Sequence, residues 1–180
     1  MKTTGMIRRI DELGRIVIPK EIRSTMCIKE GSPLEIKINE NGEIVLCKHN
    51  LLASVEDYAQ DFCEVASAIL NLPVLICDKE KIIALSGCSK KMYLSKPLSD
   101  QISKLIDNCS NYIANTLQGT NIIKIIADDE DAYVSQVIFP ISSNLSCEGM
   151  VICTSVSDVI DVEKCNIVKL IASYLSKQIG

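Results

Sequence analysis

The stretch Thr4-Gly5-Met6-Ile7-Arg8-Arg9-Ile10-Asp11-Glu12-Leu13-Gly14-Arg15-Ile16-Val17-Ile18-Pro19-Lys20-Glu21-Ile22-Arg23 sets four arginines and one lysine among short apolar runs. Residues 6–10 read as a strand, Asp11-Glu12-Leu13-Gly14 as a turn, and Ile16-Val17-Ile18 as a second strand stopped by Pro19. Residues 20–27 suit two turns of helix with Ile22 and Met26 on one face. Gly31-Ser32-Pro33 breaks it. Leu34-Glu35-Ile36-Lys37-Ile38 then alternates strictly, as a half-buried strand does, and Asn41-Gly42 signals a two-residue hairpin turn before Ile44-Val45-Leu46 returns. Four strands and one short helix in some fifty residues bury too little surface to stand alone, so this part is expected to dimerise.

Charge separates this part from the rest. The chain of 180 residues carries a formal net charge of −4, but residues 1–50 hold nine Lys/Arg against seven Asp/Glu, while residues 51–180 hold ten against sixteen. The basic excess is therefore local, which is a better guide to partners than the total. The pattern predicts two domains, residues 1–50 and 51–180, with the boundary near residues 48–51.

Beyond that boundary the periodicity changes. Leu52, Val55, Ala59, Phe62, Ala66 and Ile69 recur at helical spacing up to Pro73. Val74-Leu75-Ile76-Cys77-Asp78 and Ile82-Ile83-Ala84-Leu85 read as strands, followed by a polar loop over 86–91. Ser99 suits the cap of a helix whose inward face is Ile102, Leu105, Ile106, Cys109, Ile113 and Leu117. Strands are predicted over 122–126, 134–141 and 149–154. Ser157 or Asp158 is expected to cap a last helix with Val162, Cys165, Val168, Ile171, Leu175 and Ile179 inward. The order is α, ββ, α, βββ, α, with no internal repeat evident.

Several function classes are excluded by what the chain lacks. Nine cysteines form no C-x-x-C, and the single histidine, His49, falls in the linker, so no zinc site and no metal are expected. Cys63, Cys77, Cys109, Cys153 and Cys165 sit in apolar runs and read as small buried hydrophobes, which suits a reducing cytoplasm. Cys88, beside Lys90 and Lys91, reads as an incidental exposed thiol. The N-terminus has no signal-like apolar core and no run spans a bilayer, so a soluble protein with no membrane partner is expected. Phosphate-binding, nucleotide-binding and nucleophile-elbow motifs are absent, which argues against an enzyme. Asp128-Asp129-Glu130-Asp131 reads as a solvated turn between strands.

The arginines are the remaining chemistry. Arg8 and Arg9 point to opposite faces of one strand, Arg15 follows Gly14 in a turn, and Lys20 and Arg23 lie on the short helix. Guanidinium groups held on a small β framework meet phosphates and guanine edges. Residues 4–23 resemble the AbrB-type swapped-hairpin DNA-binding domain of bacterial transition-state regulators. The segment Asp11-Glu12-Leu13-Gly14-Arg15-Ile16-Val17-Ile18-Pro19 is close to its signature, and the match reaches about Leu46. The resemblance implies that two chains interleave hairpins into one β-rich homodimer. By position it makes Arg8, Arg9, Arg15, Lys20 and Arg23 the residues facing double-stranded DNA. Ser24 departs from the pattern, since many relatives carry a second arginine there.

Val74-Leu75-Ile76-Cys77-Asp78 and Ser86-Gly87-Cys88-Ser89-Lys90-Lys91-Met92-Tyr93-Leu94 resemble the α/β GAF-like half of sporulation regulators that join such a module to an AbrB-like head. This implies a sequence-specific transcription regulator, both activator and repressor, of sporulation genes in the forespore cytoplasm. GAF domains often bind small molecules. The bilin, nucleotide and haem signatures are absent and no cofactor is expected, which leaves a small-molecule ligand and a purely assembling module both open. An antitoxin-type autorepressor with the same DNA-binding fold is the alternative, but residues 51–180 are too apolar and periodic for a toxin-wrapping tail. Apolar stripes on the first and last helices of this half predict a second self-association, giving a homotetramer with two DNA-binding heads.

Overall fold

The computed structural model of the chain describes residues 6–26, 28, 30–31, 34–48, 52, 56–129, 132–143 and 146–179. It divides into two compact units, Met1–His49 and Asn50–Gly180. The linker His49, Val55 and the Glu130-Asp131 half of the acidic run lie outside the described residues.

In the first unit two hairpin tips organise the chain. At the first, Gly14 takes φ 75°, a left-handed conformation that costs a side-chain-bearing residue dearly. The Gly14 N–H bonds the Asp11 carbonyl at 3.0 Å, and the Asp11 N–H bonds the Arg15 carbonyl at 3.1 Å. At the second, Gly42 at φ 76° donates to the Asn39 carbonyl at 3.0 Å, and Asn39 donates to the Glu43 carbonyl at 3.1 Å. This second tip is thus a turn over residues 39–42 with a left-handed glycine, not the two-residue turn that Asn41-Gly42 predicts. It joins β1 (Leu34–Ile38) to β2 (Ile44–Lys48), antiparallel with Ile36 opposite Leu46. Between the tips lies helix α1 (Lys20–Thr25), which starts directly after Pro19.

Residues 6–10 and 16–18, expected as strands, run without a ladder among the described residues. An isolated two-stranded ribbon is marginal in water, and no described residue of the same unit covers its apolar side. Ile7 is 90% exposed and Ile36 69%; among the described residues of this unit only Pro19 is buried. The apolar residues that alternation assigns to a core find none among the described residues of this unit.

The second unit is built on a five-stranded antiparallel sheet in the order β4-β3-β7-β6-β5. The strands are β3 (Val74–Cys77), β4 (Ile82–Ser86), β5 (Tyr112–Asn115), β6 (Ser135–Ser142) and β7 (Cys147–Ser155). Both faces are covered, which is why Val74–Cys77 reads as a continuous apolar run. Val74 and Ile76 pack with Ala59, Cys63, Ala66 and Leu70 of α2 (Glu56–Leu70) and with Val168, Ile171, Ala172 and Leu175 of α5 (Val162–Ile179). Leu75 and Cys77 pack the other way, with Tyr93 of α3 (Lys90–Tyr93) and Ile102 and Ile106 of α4 (Asp100–Asp107). The short α3 occupies the end of the predicted polar loop.

Three sequence readings are corrected here. The helix capped by Ser99, whose Oγ accepts the Ile102 N–H at 3.2 Å, ends at Asp107 instead of running to Leu117. Asn108 caps it, Cys109 turns away at φ 47° and is exposed, and the following residues become β5. Ile123, Ile125 and Ile126 are buried, but residues 122–126 are not a strand, because side chains take several of their backbone groups. Gln136 brackets Ile123, accepting its N–H at 3.2 Å and donating to its carbonyl at 3.1 Å. Gln101 accepts from Lys124 at 3.0 Å and Asp129 from Ile125 at 3.0 Å. The last helix is capped by Asp161, which takes the Lys164 N–H at 2.8 Å, while Ser157 donates to Asp158.

The acidic run is corrected as well. Asp129 is buried, and its carboxylate accepts the Tyr93 hydroxyl at 2.8 Å; that hydroxyl meets the Tyr133 hydroxyl at 2.7 Å. Cys88 is half-buried against the same cluster as Leu75. Among the described residues no helix is long and apolar enough to cross a membrane, and no group of three His, Cys, Asp or Glu side chains is placed to hold a metal.

Candidate nucleic-acid interface

The five cations singled out from the sequence lie on the first hairpin and on α1. All of them are exposed. Arg8 and Arg9 sit on the outgoing arm, Arg15 at the tip, and Lys20 and Arg23 one turn apart on α1. Arg8, Arg9, Lys20 and Arg23 make no ion pair among the described residues. Glu21 shares the helix with them and sits in its first turn, where the helix dipole favours a carboxylate.

Arg15 is held differently. Asp11 Oδ1 accepts the backbone N–H of Leu13 at 3.0 Å and of Arg15 at 2.8 Å, which closes the turn. Its other oxygen, Oδ2, accepts Arg15 Nε at 2.8 Å. Both side chains remain open to solvent, at 70% for Arg15 and 40% for Asp11. The Arg15 backbone and side-chain hydrogen bonds hold the Asp11 carboxyl below its ordinary range, so it is ionised throughout neutral pH.

The second tip repeats this arrangement. Asn39 Oδ1 accepts the N–H of Asn41 at 3.1 Å and of Glu43 at 2.9 Å, and Asn39 Nδ2 donates to Glu43 Oε2 at 2.6 Å. Asp11-Glu12-Leu13-Gly14-Arg15 and Asn39-Glu40-Asn41-Gly42-Glu43 are one turn written twice, with opposite charge at the fifth place. Sequence reasoning missed the repeat and missed Asp11; the Asx-x-x-Gly-charged spacing was the signal for both.

Among the described residues of the second unit, two concave places stand out. A groove of about 240 Å³ between α2 and α5 is lined by Tyr58, Asp61, Phe62, Val65 and Tyr174. Phe62 and Tyr174 touch there, their rings 5.1 Å apart. Val65 is 58% and Ile69 66% exposed, and Val162 and Leu170 are exposed on α5. The inward stripe of α2 is therefore Ala59-Cys63-Ala66-Leu70; Ile69, on the periodic stripe read from sequence, and Val162, predicted to face inward, both point outward. A second hollow of about 300 Å³ is lined by Thr116, Ile122, Ile123, Lys124, Asp129, Ala132 and Tyr133.

Comparison with known proteins fits this division. Residues 54–180 match a family described as stage V sporulation protein T C-terminal, transcription factor. Over 178 residues the chain is 36% identical to stage V sporulation protein T of Bacillus subtilis, covering 99% of this chain and 98% of that protein. The chain belongs to the stage V sporulation protein T family. Members are transcription factors by that description, and this chain is accordingly a sporulation-related transcription regulator.

The head and the GAF-like half of this family member have separate likenesses. Residues 7–51 match a family described as antidote-toxin recognition MazE, bacterial antitoxin. Over 49 residues, 27% of the chain, it is 49% identical to the transition state regulatory protein AbrB of Bacillus subtilis, half of whose length is covered. The second unit shares its fold with the GAF domain of an Acinetobacter phosphoenolpyruvate-protein phosphotransferase. The TM-score is 0.56 at 10% identity, covering 69% of this chain and 81% of that one. The AbrB-type head and GAF-like half expected from sequence are both borne out.

Proposed function

We propose that the protein is a sequence-specific DNA-binding regulator of sporulation genes in the forespore, an activator and a repressor and not an enzyme. Residues 1–50 form the DNA-binding domain, and residues 51–180 the GAF-like domain that assembles it. Two chains interleave their hairpins, and Arg8, Arg9, Arg15, Lys20 and Arg23 of each face double-stranded DNA. The observation that carries this reading is the first tip: an arginine fixed at its exposed end, on a unit most of whose described apolar side chains are exposed. A second copy supplies the missing cover and doubles the cations.

Salt titration tests the surface. If roughly six to eight phosphates meet Lys or Arg across the dimer, the slope of log K against log salt is about −5 to −7. A slope near zero in a fluorescence-anisotropy titration would mean that the basic hairpin is not the DNA surface.

Assembly through the second domain follows from the outward stripe of Tyr58, Val65 and Ile69 on α2 beside Leu170 and Tyr174 on α5. Apolar patches of several hundred Å² rarely persist on a monomer. The full chain is expected to be a tetramer with two heads, whose linkage raises effective concentration on paired sites. Light scattering should give a tetramer for the full chain and a dimer for Val65→Glu/Ile69→Glu. A tetramer that survives both substitutions would refute this interface.

The MazE likeness of residues 7–51 motivates a second reading, an antitoxin-type autorepressor. The folded five-stranded sheet that follows argues against it, since a toxin-wrapping segment needs an unfolded tail.

A further inference from the structure

Building on the proposal that Arg15 meets DNA, we infer that Asp11 is a specificity-determining residue that aims Arg15 at a base edge and penalises its use on phosphate. Three observations carry this. First, Asp11 grips Nε, the donor nearest the side-chain stem, at 2.8 Å. That leaves the two terminal amino groups, a pair of parallel donors, facing outward, and no other acceptor among the described residues meets them. Paired donors match O6 and N7 of guanine. Second, an exposed ion pair of this kind contributes little to stability, so fixing the direction of Arg15 is the effect that remains. Third, the second tip separates the two jobs of residue 11. Asn39 closes the same turn with its amide oxygen, at 3.1 and 2.9 Å. A neutral amide therefore suffices for the fold, and the negative charge of Asp11 serves something else.

That charge has a cost on DNA. A carboxylate held within hydrogen-bonding distance of the guanidinium cancels much of its pull on phosphate and repels the backbone. The pair gains on a duplex only where the outward donors find their base acceptors. Asp11 thus lowers affinity for all DNA and lowers it least for the right sequence. Discrimination of this kind comes from an introduced repulsion as well as an attraction.

The test uses the full chain, a duplex selected by the unaltered protein from a random library, and a scrambled duplex of the same composition. Asp11→Asn keeps the turn, as Asn39 does. It should hold or raise affinity for the scrambled duplex while lowering the selected-to-scrambled ratio about tenfold, near the lower end of what one arginine–base pairing supplies. In an Arg15→Ala background the same substitution should not lower the ratio further. Asp11→Ser, which keeps a hydroxyl acceptor for the turn without charge, should behave like Asp11→Asn and guards against a fault peculiar to the amide. Equal losses on both duplexes would make Asp11 merely structural and overturn the inference. So would an unchanged ratio in Asp11→Asn when Arg15→Ala lowers it, with Arg15 still on the DNA. An unchanged ratio in Arg15→Ala itself would overturn the placement of Arg15, and the role of Asp11 with it.

Discussion

Replacing Arg15 by alanine is expected to abolish sequence-specific DNA binding and to leave the dimer folded. The side chain is 70% exposed and among the described residues bonds only Asp11, so its loss opens no cavity and strands no buried group. The turn keeps its closure, because Asp11 Oδ1 is bonded to the backbone N–H groups of Leu13 and residue 15, which alanine retains. On the DNA side the loss is large. One bidentate arginine–base contact supplies about 1–3 kcal/mol of discrimination, and a two-fold dimer loses it twice. Affinity for the selected duplex should therefore fall by roughly thirtyfold to more than ten-thousandfold. Gel-shift titration measures this, with circular dichroism and light scattering as checks on fold and assembly. Unchanged affinity would remove Arg15 from the interface.

The largest expected effect on stability comes from Gly149→Ala. Gly149 lies in β7, and a Cβ there would run into the Cys77 carbonyl oxygen and stand 2.7 Å from Leu52 Cδ1. The oxygen belongs to β3, whose Cys77 pairs with Met150, so it cannot yield without opening the β3–β7 ladder. That ladder joins both core clusters, since Val151 faces one and Met150 the other. Overpacking of this kind costs about 3 kcal/mol or more. The readout is built into the chain. There is no tryptophan, and all five tyrosines fall between Tyr58 and Tyr174, so tyrosine fluorescence during urea unfolding reports the second unit alone. At one protein concentration the midpoint should fall steeply; a change worth less than about 1 kcal/mol would contradict the close approach.

Much of the second unit was legible because its strands are buried on both faces and therefore stand out as apolar runs. Val74–Cys77, Ile82–Ser86 and the long β6–β7 pair are of this type. What was not legible depends on partners distant in sequence. Residues 122–126 look like a strand until Gln136 and Asp129 take their backbone bonds. Asp129 looks like part of a solvated acidic turn until Tyr93, thirty-six residues away, turns its hydroxyl to it. On α2 the spacing admits two adjacent stripes, and only packing selects Leu70 over Ile69 for the core.

In the first unit the turn residues and the cations were legible, as local features are. The arms beside Gly14 were read as strands from short apolar runs, and strands of that kind need a covering surface that the described residues of this unit do not provide. The role of Asp11 was hidden for another reason. An acidic residue in a basic segment reads as a mere loss of charge until its two oxygens are seen to do different work.

The most direct measurement is photocrosslinking of the full chain to a duplex that it selects, with a photoreactive residue placed at Leu13 or at Asn41. These positions are the third residues of the two tips, both exposed on turns of the same geometry, one beside Arg15 and the other beside Glu43. Crosslinks to DNA are expected from position 13 and not from position 41. Crosslinks from position 41 with none from position 13 would contradict the claim that the Asp11–Arg15 tip is what this protein lays on DNA.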